Sequence, residues 1–210
     1  MTMMSMTMAE DARFVTIDRR RPLDALTRYE PAFGATGLLM LALMAPTLFA
    51  AYADERTFQG VNIWIKPLKF EFALTVYFLT LAFFARWLPE GLRRRRWYRL
   101  FAGAVVAASF AEMAWIGSAA AMGTASHFNQ SPLGAVIYPL MGGAATLITS
   151  ATAVHAWQMA RNNALRLPPA FRESLVLGLG LVLPLTLVTA GAMSAAGTHG
   201  VGGAATDAGS

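Results

Sequence analysis

The chain has 210 residues, 56% hydrophobic and 14% charged, with 17 Lys and Arg against 12 Asp and Glu for a formal net charge of +5. It has no cysteine, which excludes disulfides, thiolate catalysis and Cys-ligated metals. No stretch between its apolar segments reaches the roughly 50 residues that a separate soluble domain requires.

The amino-terminal segment 1–32 opens with Met1, Met3, Met4, Met6 and Met8 and then turns polar through Asp18-Arg19-Arg20-Arg21-Pro22, the reverse of a signal peptide's order. The triple arginine imitates a twin-arginine export signal, but Pro22 and residues 24–30 separate it from the first apolar stretch. Pro22 suits a first helical position, so Leu23, Leu26 and Tyr29 are expected on a short interfacial helix. Five long apolar stretches follow, at 33–53, 67–88, 98–122, 133–158 and 173–197. Each is near the roughly 20 residues that cross about 30 Å of hydrocarbon as a helix. Runs such as 38–44 and 175–183 are apolar on every side, which excludes the alternation of a transmembrane barrel. The expected fold is all-α: an integral membrane bundle of five transmembrane helices over 33–197, with a flexible outer tail at 198–210.

Cations orient this bundle. Arg13, Arg19, Arg20, Arg21 and Arg28 precede the first stretch, and Arg86, Arg93, Arg94, Arg95, Arg96 and Arg99 surround the second loop. Arg161, Arg166 and Arg172 occupy the fourth loop, and only Arg56, Lys66 and Lys69 fall on the opposite side. Fourteen against three places the amino terminus in the cytoplasm and the carboxy terminus outside. The arginines abut helix ends that face anionic headgroups, so the lipid bilayer is the expected partner and nucleic acid is not.

Pro46, Pro139 and Pro184 interrupt three stretches and predict kinked helices backed by neighbours, since each frees a backbone carbonyl. Gly103, Ala107, Ala111, Gly142, Gly143, Gly178, Gly180 and Gly191 are the expected packing positions. The odd number of spans and the absence of a tandem or inverted repeat argue against a small transporter.

Glu112 is the first candidate for chemistry. It lies near the midplane, where a carboxylate must be protonated, paired or wetted. Tyr77, Thr146, Thr186 or Thr189 and Pro46-Thr47 fall at a similar depth, predicting a polar layer that either tunes Glu112 for proton transfer or locks the bundle. A second constellation is Trp64-Ile65-Lys66-Pro67-Leu68-Lys69-Phe70-Glu71, where the chain enters the second span. Lys66 and Lys69 oppose both the charge rule and the dipole of a helix amino terminus, so they read as an anion site or as lysines snorkelling beside Trp64. Glu71 points away from them and needs a partner on another helix, with Arg56 or His127 in the right zone. A third is the uncharged loop 123–132, whose His127 and Asn129 are expected to fold back on the bundle. His127 and His199, with Glu71, Asp54 and Glu55, lack metal-ligand spacing, and no metal site is expected. His155 belongs at the opposite end, so no two histidines share a depth for haem, and it reads as an interfacial residue. The residues specify no cofactor.

The Trp64-Ile65-Lys66-Pro67-Leu68-Lys69-Phe70 entry and the Ser126-His127-Phe128-Asn129 loop resemble a group of uncharacterised bacterial multi-pass inner-membrane proteins, over most of residues 60–200. The resemblance implies an inner-membrane location and an outward polar site that includes Lys66, Lys69, His127 and Asn129, and it brings no activity. It also implies that relatives continue past the fifth helix through a Gly/His-rich segment like Thr198-His199-Gly200, so that this chain would be a shortened form. Two function classes follow, with a small transporter as a third. One is a structural or accessory membrane subunit, partnered by other membrane chains or by itself. The other is a membrane-embedded enzyme or redox component, with Glu112 in proton transfer and Lys66 and Lys69 binding an anionic group.

Overall fold

The computed structural model describes residues 27–89, 91–129 and 131–197. The expected interfacial helix after Pro22, the tail 198–210 and His199 lie wholly or largely outside the described residues. The protein is all-α, with five helices long and apolar enough to cross a membrane: α1 Pro31–Ala53, α2 Ile65–Phe84, α3 Arg96–Ala121, α4 Pro132–Ala160 and α5 Pro169–Ala196. Their starts are set locally. Pro31, Pro132 and Pro169 occupy first-turn positions, where a missing N–H costs nothing, and the Ser131 hydroxyl accepts a hydrogen bond from Gly134 N at 3.0 Å to cap α4. These prolines move the starts of α1, α4 and α5 a few residues ahead of the apolar runs. The second span finishes as a 3-10 turn, Ala85–Trp87, before Pro89 and the left-handed Gly91 (φ 77°).

The helices run up and down. At the arginine-rich end, Asn162 Nδ2 donates to Trp87 O at 3.2 Å and Trp87 meets Phe171 edge-on at 5.5 Å, joining α2, the α4–α5 connection and α5. At the other end a two-residue hairpin, β1 Thr57–Phe58 and β2 Val61–Asn62, pairs Thr57 with Asn62 and Phe58 with Val61. Its turn, Gln59-Gly60, has positive φ at both residues (53° and 78°), the geometry that matches strand twist in a tight hairpin. Arg56 Nη1 reaches Ala121 O at 3.0 Å, which ties this hairpin to the end of α3.

Burial is uneven along the bundle axis. The buried residues of α1 end at Met40, those of α5 are Leu175 and Leu179, and α4 has none between Gly134 and Ile148. Only α2 and α3 are buried along most of their lengths. The apolar core, including Phe33, Phe78, Leu81, Trp87, Tyr98 and Met159, therefore concentrates toward the arginine-rich end.

Two packing expectations are corrected. Pro46, Pro139 and Pro184 do lie inside α1, α4 and α5, but all three are exposed on the outer faces rather than backed by neighbours. An apolar ring is tolerated by lipid, and beside Pro46 the Thr47 hydroxyl donates to Leu43 O at 3.1 Å, one residue on from the Ala42 carbonyl that the proline leaves without an N–H donor. Of the expected packing glycines, Gly103, Gly142, Gly143, Gly178 and Gly191 have open space where a Cβ would stand, and only Gly180 meets a neighbour, Ala156 Cβ at 3.7 Å. The close approaches are elsewhere. A Cβ on Gly37 would lie 2.8 Å from the Leu79 side chain, and one on Gly134 would lie 2.5 Å from Asn129 O.

Candidate functional site

The rim at the end away from the arginines is built by a network that the loop 54–64 carries within itself. Asp54 pairs with Arg56 at 2.7 Å and accepts the Trp64 indole N–H at 3.0 Å. Asn62 Nδ2 donates to Asp54 O and Ala51 O, while its Oδ1 accepts Trp64 N at 2.9 Å. Hydrogen bonding from Arg56, then from Trp64, holds the Asp54 carboxyl well below the usual carboxylate range, and the same pairing raises Arg56. Arg56 is thus paired with Asp54 and is no partner for Glu71.

Lys66 and Lys69 sit one turn apart at the start of α2, Lys66 half-buried and Lys69 exposed. Neither forms an ion pair with an acid among the described residues. Glu71, 4% exposed, takes the hydroxyl of Thr47 on Oε1 at 2.7 Å, and its Oε2 has no partner among the described residues. The expected partners, Arg56 and His127, are replaced by Thr47, because α1 packs directly along α2 and brings that hydroxyl to the buried face. One hydroxyl proton is then divided between Leu43 O and Glu71.

The loop after α3 lies folded on the bundle. Trp115 Nε1 donates to Ser126 O at 2.8 Å, and the Ser126 hydroxyl meets His127 Nδ1 at 3.1 Å. Asn129 Nδ2 donates to Ala125 O at 3.0 Å and its Oδ1 accepts Ser131 N at 2.9 Å. The His127 ring stands between Phe70 of α2 and Tyr138 of α4, with centroids 6.2 and 6.4 Å away. The close approach at Gly134 seats Asn129 on the first turn of α4. His127 is thereby brought beside the α2 entry that carries Lys66 and Lys69, while Asn129 is spent on shaping its own loop.

Glu112 is 7% exposed, with no hydrogen bond or ion pair to a described residue. The expected polar layer does not form around it. Tyr77 donates to Ile148 O at 2.5 Å, Thr146 to Gly142 O at 2.8 Å, Thr189 to Leu185 O, and Thr47 to Glu71. A threonine in an apolar helix finds its own carbonyl one turn back before it finds another helix, which sequence depth cannot reveal.

The cluster that sequence reasoning missed lies at the arginine-rich end. His155 is 0% exposed rather than interfacial: its ring packs 6.0 Å from Phe33, and Nε2 is 3.2 Å from the Tyr98 hydroxyl. The buried Glu30 carboxyl that precedes α1 lies close to Tyr98, and its Oε2 has no hydrogen-bond partner among the described residues. Burial pushes Glu30 above the ordinary carboxylate range, opposed by the neighbouring Tyr98 hydroxyl and the Arg93 charge. Nearby, the Arg86 guanidinium lies 3.8 Å over the Phe83 ring and 5.7 Å from Tyr29. One signal pointed this way: Ala151, Thr152, Ala156 and Met159 flank His155 at helical spacing, a face of small and apolar residues suited to the interior. No family model, no curated protein and no solved structure matches the chain.

Proposed function

We propose that the chain is a multi-pass protein of the bacterial inner membrane, with its amino terminus in the cytoplasm and its carboxy terminus outside, serving as a structural or accessory subunit in contact with lipid and other membrane chains. Five apolar helices and the fourteen cations at one set of helix ends support the placement. The structural role is supported by the way the polar side chains of the outer rim are consumed inside the bundle: Glu71 by Thr47, Asn129 by its own loop, His127 by two aromatic rings. The Glu71 and His127 contacts join one element to another, those of Asn129 shape its loop, and none leaves a set of groups converging on a common point.

One observation favours a second reading, a membrane-embedded enzyme or redox component. Glu112 is a buried carboxyl without a hydrogen bond or ion pair among the described residues, a placement that costs stability. In that reading it exchanges a proton with a lipid-soluble substrate, while Lys66 and Lys69 hold an anionic group at the rim. Replacement Glu112→Gln separates the two. The structural reading predicts equal or higher thermal stability in detergent, with full complementation of a deletion strain. Loss of complementation at wild-type yield would transfer the assignment to the second reading.

A further inference from the structure

We propose that Lys66, Lys69 and the exposed stripe of α2 form a binding site for an anionic phospholipid, with its phosphate between the two ammonium groups and an acyl chain along the stripe. The inference rests on the anion site of the second reading and needs no reaction at Glu112. Lys66 and Lys69 are three residues apart on one helix, so their side chains are neighbours, and like charges so placed repel. The positive pole of α2 adds to that repulsion and favours an anion instead. No acid relieves it. Asp54 is taken by Arg56 and Trp64, Glu71 is turned to Thr47 of α1, and neither lysine has a hydrogen bond or ion pair to a described residue. A phosphate diester brings one negative charge and two unesterified oxygens, one for each ammonium group. A choline or ethanolamine headgroup would add a third cation to the pair, so the charge selects a lipid without an amine.

The stripe decides between a lipid and a free phosphate. The exposed residues of α2 are Lys69, Phe72, Ala73, Val76 and Thr80, and every other position is buried or half-buried. These five follow one another at helical spacing and continue the line from Lys66, so a single face of α2 meets lipid. Phe72 is 57% and Val76 51% exposed. From Lys69 to Thr80 the stripe descends about 16 Å at the rise of an α-helix. That is close to half of the roughly 30 Å of hydrocarbon, the depth of one leaflet. The lysines stand at its head, where the chain enters the span, and the apolar side chains lie below them. An inorganic phosphate uses the head alone, whereas a phospholipid uses both parts.

The test compares the wild type with Lys66→Gln/Lys69→Gln, full chains in detergent, by native mass spectrometry with added phosphatidylglycerol or phosphatidylcholine. Binding of inorganic phosphate is read separately from its phosphorus NMR line width. The arginine-rich end is identical in both proteins, so its lipids cancel in the comparison. The wild type should hold one more tightly bound phosphatidylglycerol, and the double variant should bind it about 30-fold more weakly, about fivefold for each lysine. Lys66→Arg/Lys69→Arg should retain the lipid. Lys69→Gln alone, at an exposed position, should weaken binding about fivefold, which keeps the test decisive if the double variant does not fold. Phosphatidylcholine binding should be the same in wild type and variants. Inorganic phosphate that binds through the lysines while phosphatidylglycerol does not would overturn the lipid and leave the anion site of the second reading standing. Equal dependence of both lipids on the lysines would overturn the selection by charge. Binding that is independent of the lysines for all three probes would overturn the lipid site and the anion site together.

Discussion

A Cβ on Gly37 would stand 2.8 Å from the Leu79 side chain and 3.1 Å from Leu79 N, so α1 and α2 touch there at backbone distance. Gly37→Ala must push the two helices apart, and overpacking of this kind costs about 1–3 kcal/mol. Gly142→Ala meets nothing within 4 Å and is expected to shift stability by about 0.5 kcal/mol or less. Unfolding in mixed micelles titrated with dodecyl sulfate compares them, and equal destabilisation by the two changes would refute the packing assigned to Gly37. The sequence could not choose between these glycines. Helices that are apolar on every side have no hydrophobic stripe, so the face that meets a neighbour has no phase to read. For the same reason His155 was placed at the interface, although it is wholly buried against Phe33 and Tyr98.

Among the elements, the segment from Asp54 to Trp64 was the least legible. No pattern in its residues announces the hairpin that it forms, locked by Asp54, Arg56, Asn62 and Trp64. Two consecutive residues with positive φ, one of them Gln59, are a tertiary outcome that a Gln-Gly pair only weakly signals. The network makes an acid-sensitive prediction. Because Asp54 is held below the usual carboxylate range, its contribution is complete above its unfolded-state value of about 3.9 and is lost as pH falls through the lower folded-state value. The Trp64 fluorescence, taken as wild type minus Trp64→Phe, should stay constant from neutral pH down to about 4 and change only below it. Asp54→Asn should show the acid-type emission already at neutral pH. Wild-type emission from that variant would mean that Asp54 does not hold the indole. By contrast, the α2 entry lies at the position expected from the sequence, and only the partner of Glu71 differed, because a contact between α1 and α2 has no local signature.

For the whole molecule, the most legible property was the number of helices, and the least legible was how they share burial. Length and hydropathy locate five spans within a few residues of their observed ends, since each must satisfy its own backbone hydrogen bonds whatever it packs against. The concentration of the core at the arginine-rich end depends on helix contacts and has no counterpart in composition. That asymmetry gives the two ends different characters: a tightly packed end that holds Glu30, Tyr98 and His155, and an opposite end closed mainly by the hairpin and the loop after α3. The orientation of these ends in the membrane is the claim on which the proposed function rests. Alkaline phosphatase, which folds to an active enzyme only outside the cytoplasm, can be fused after Ser210 and, separately, after Arg96. The account predicts high activity from the carboxy-terminal fusion and background activity from the fusion after Arg96, and the reverse pattern would contradict it.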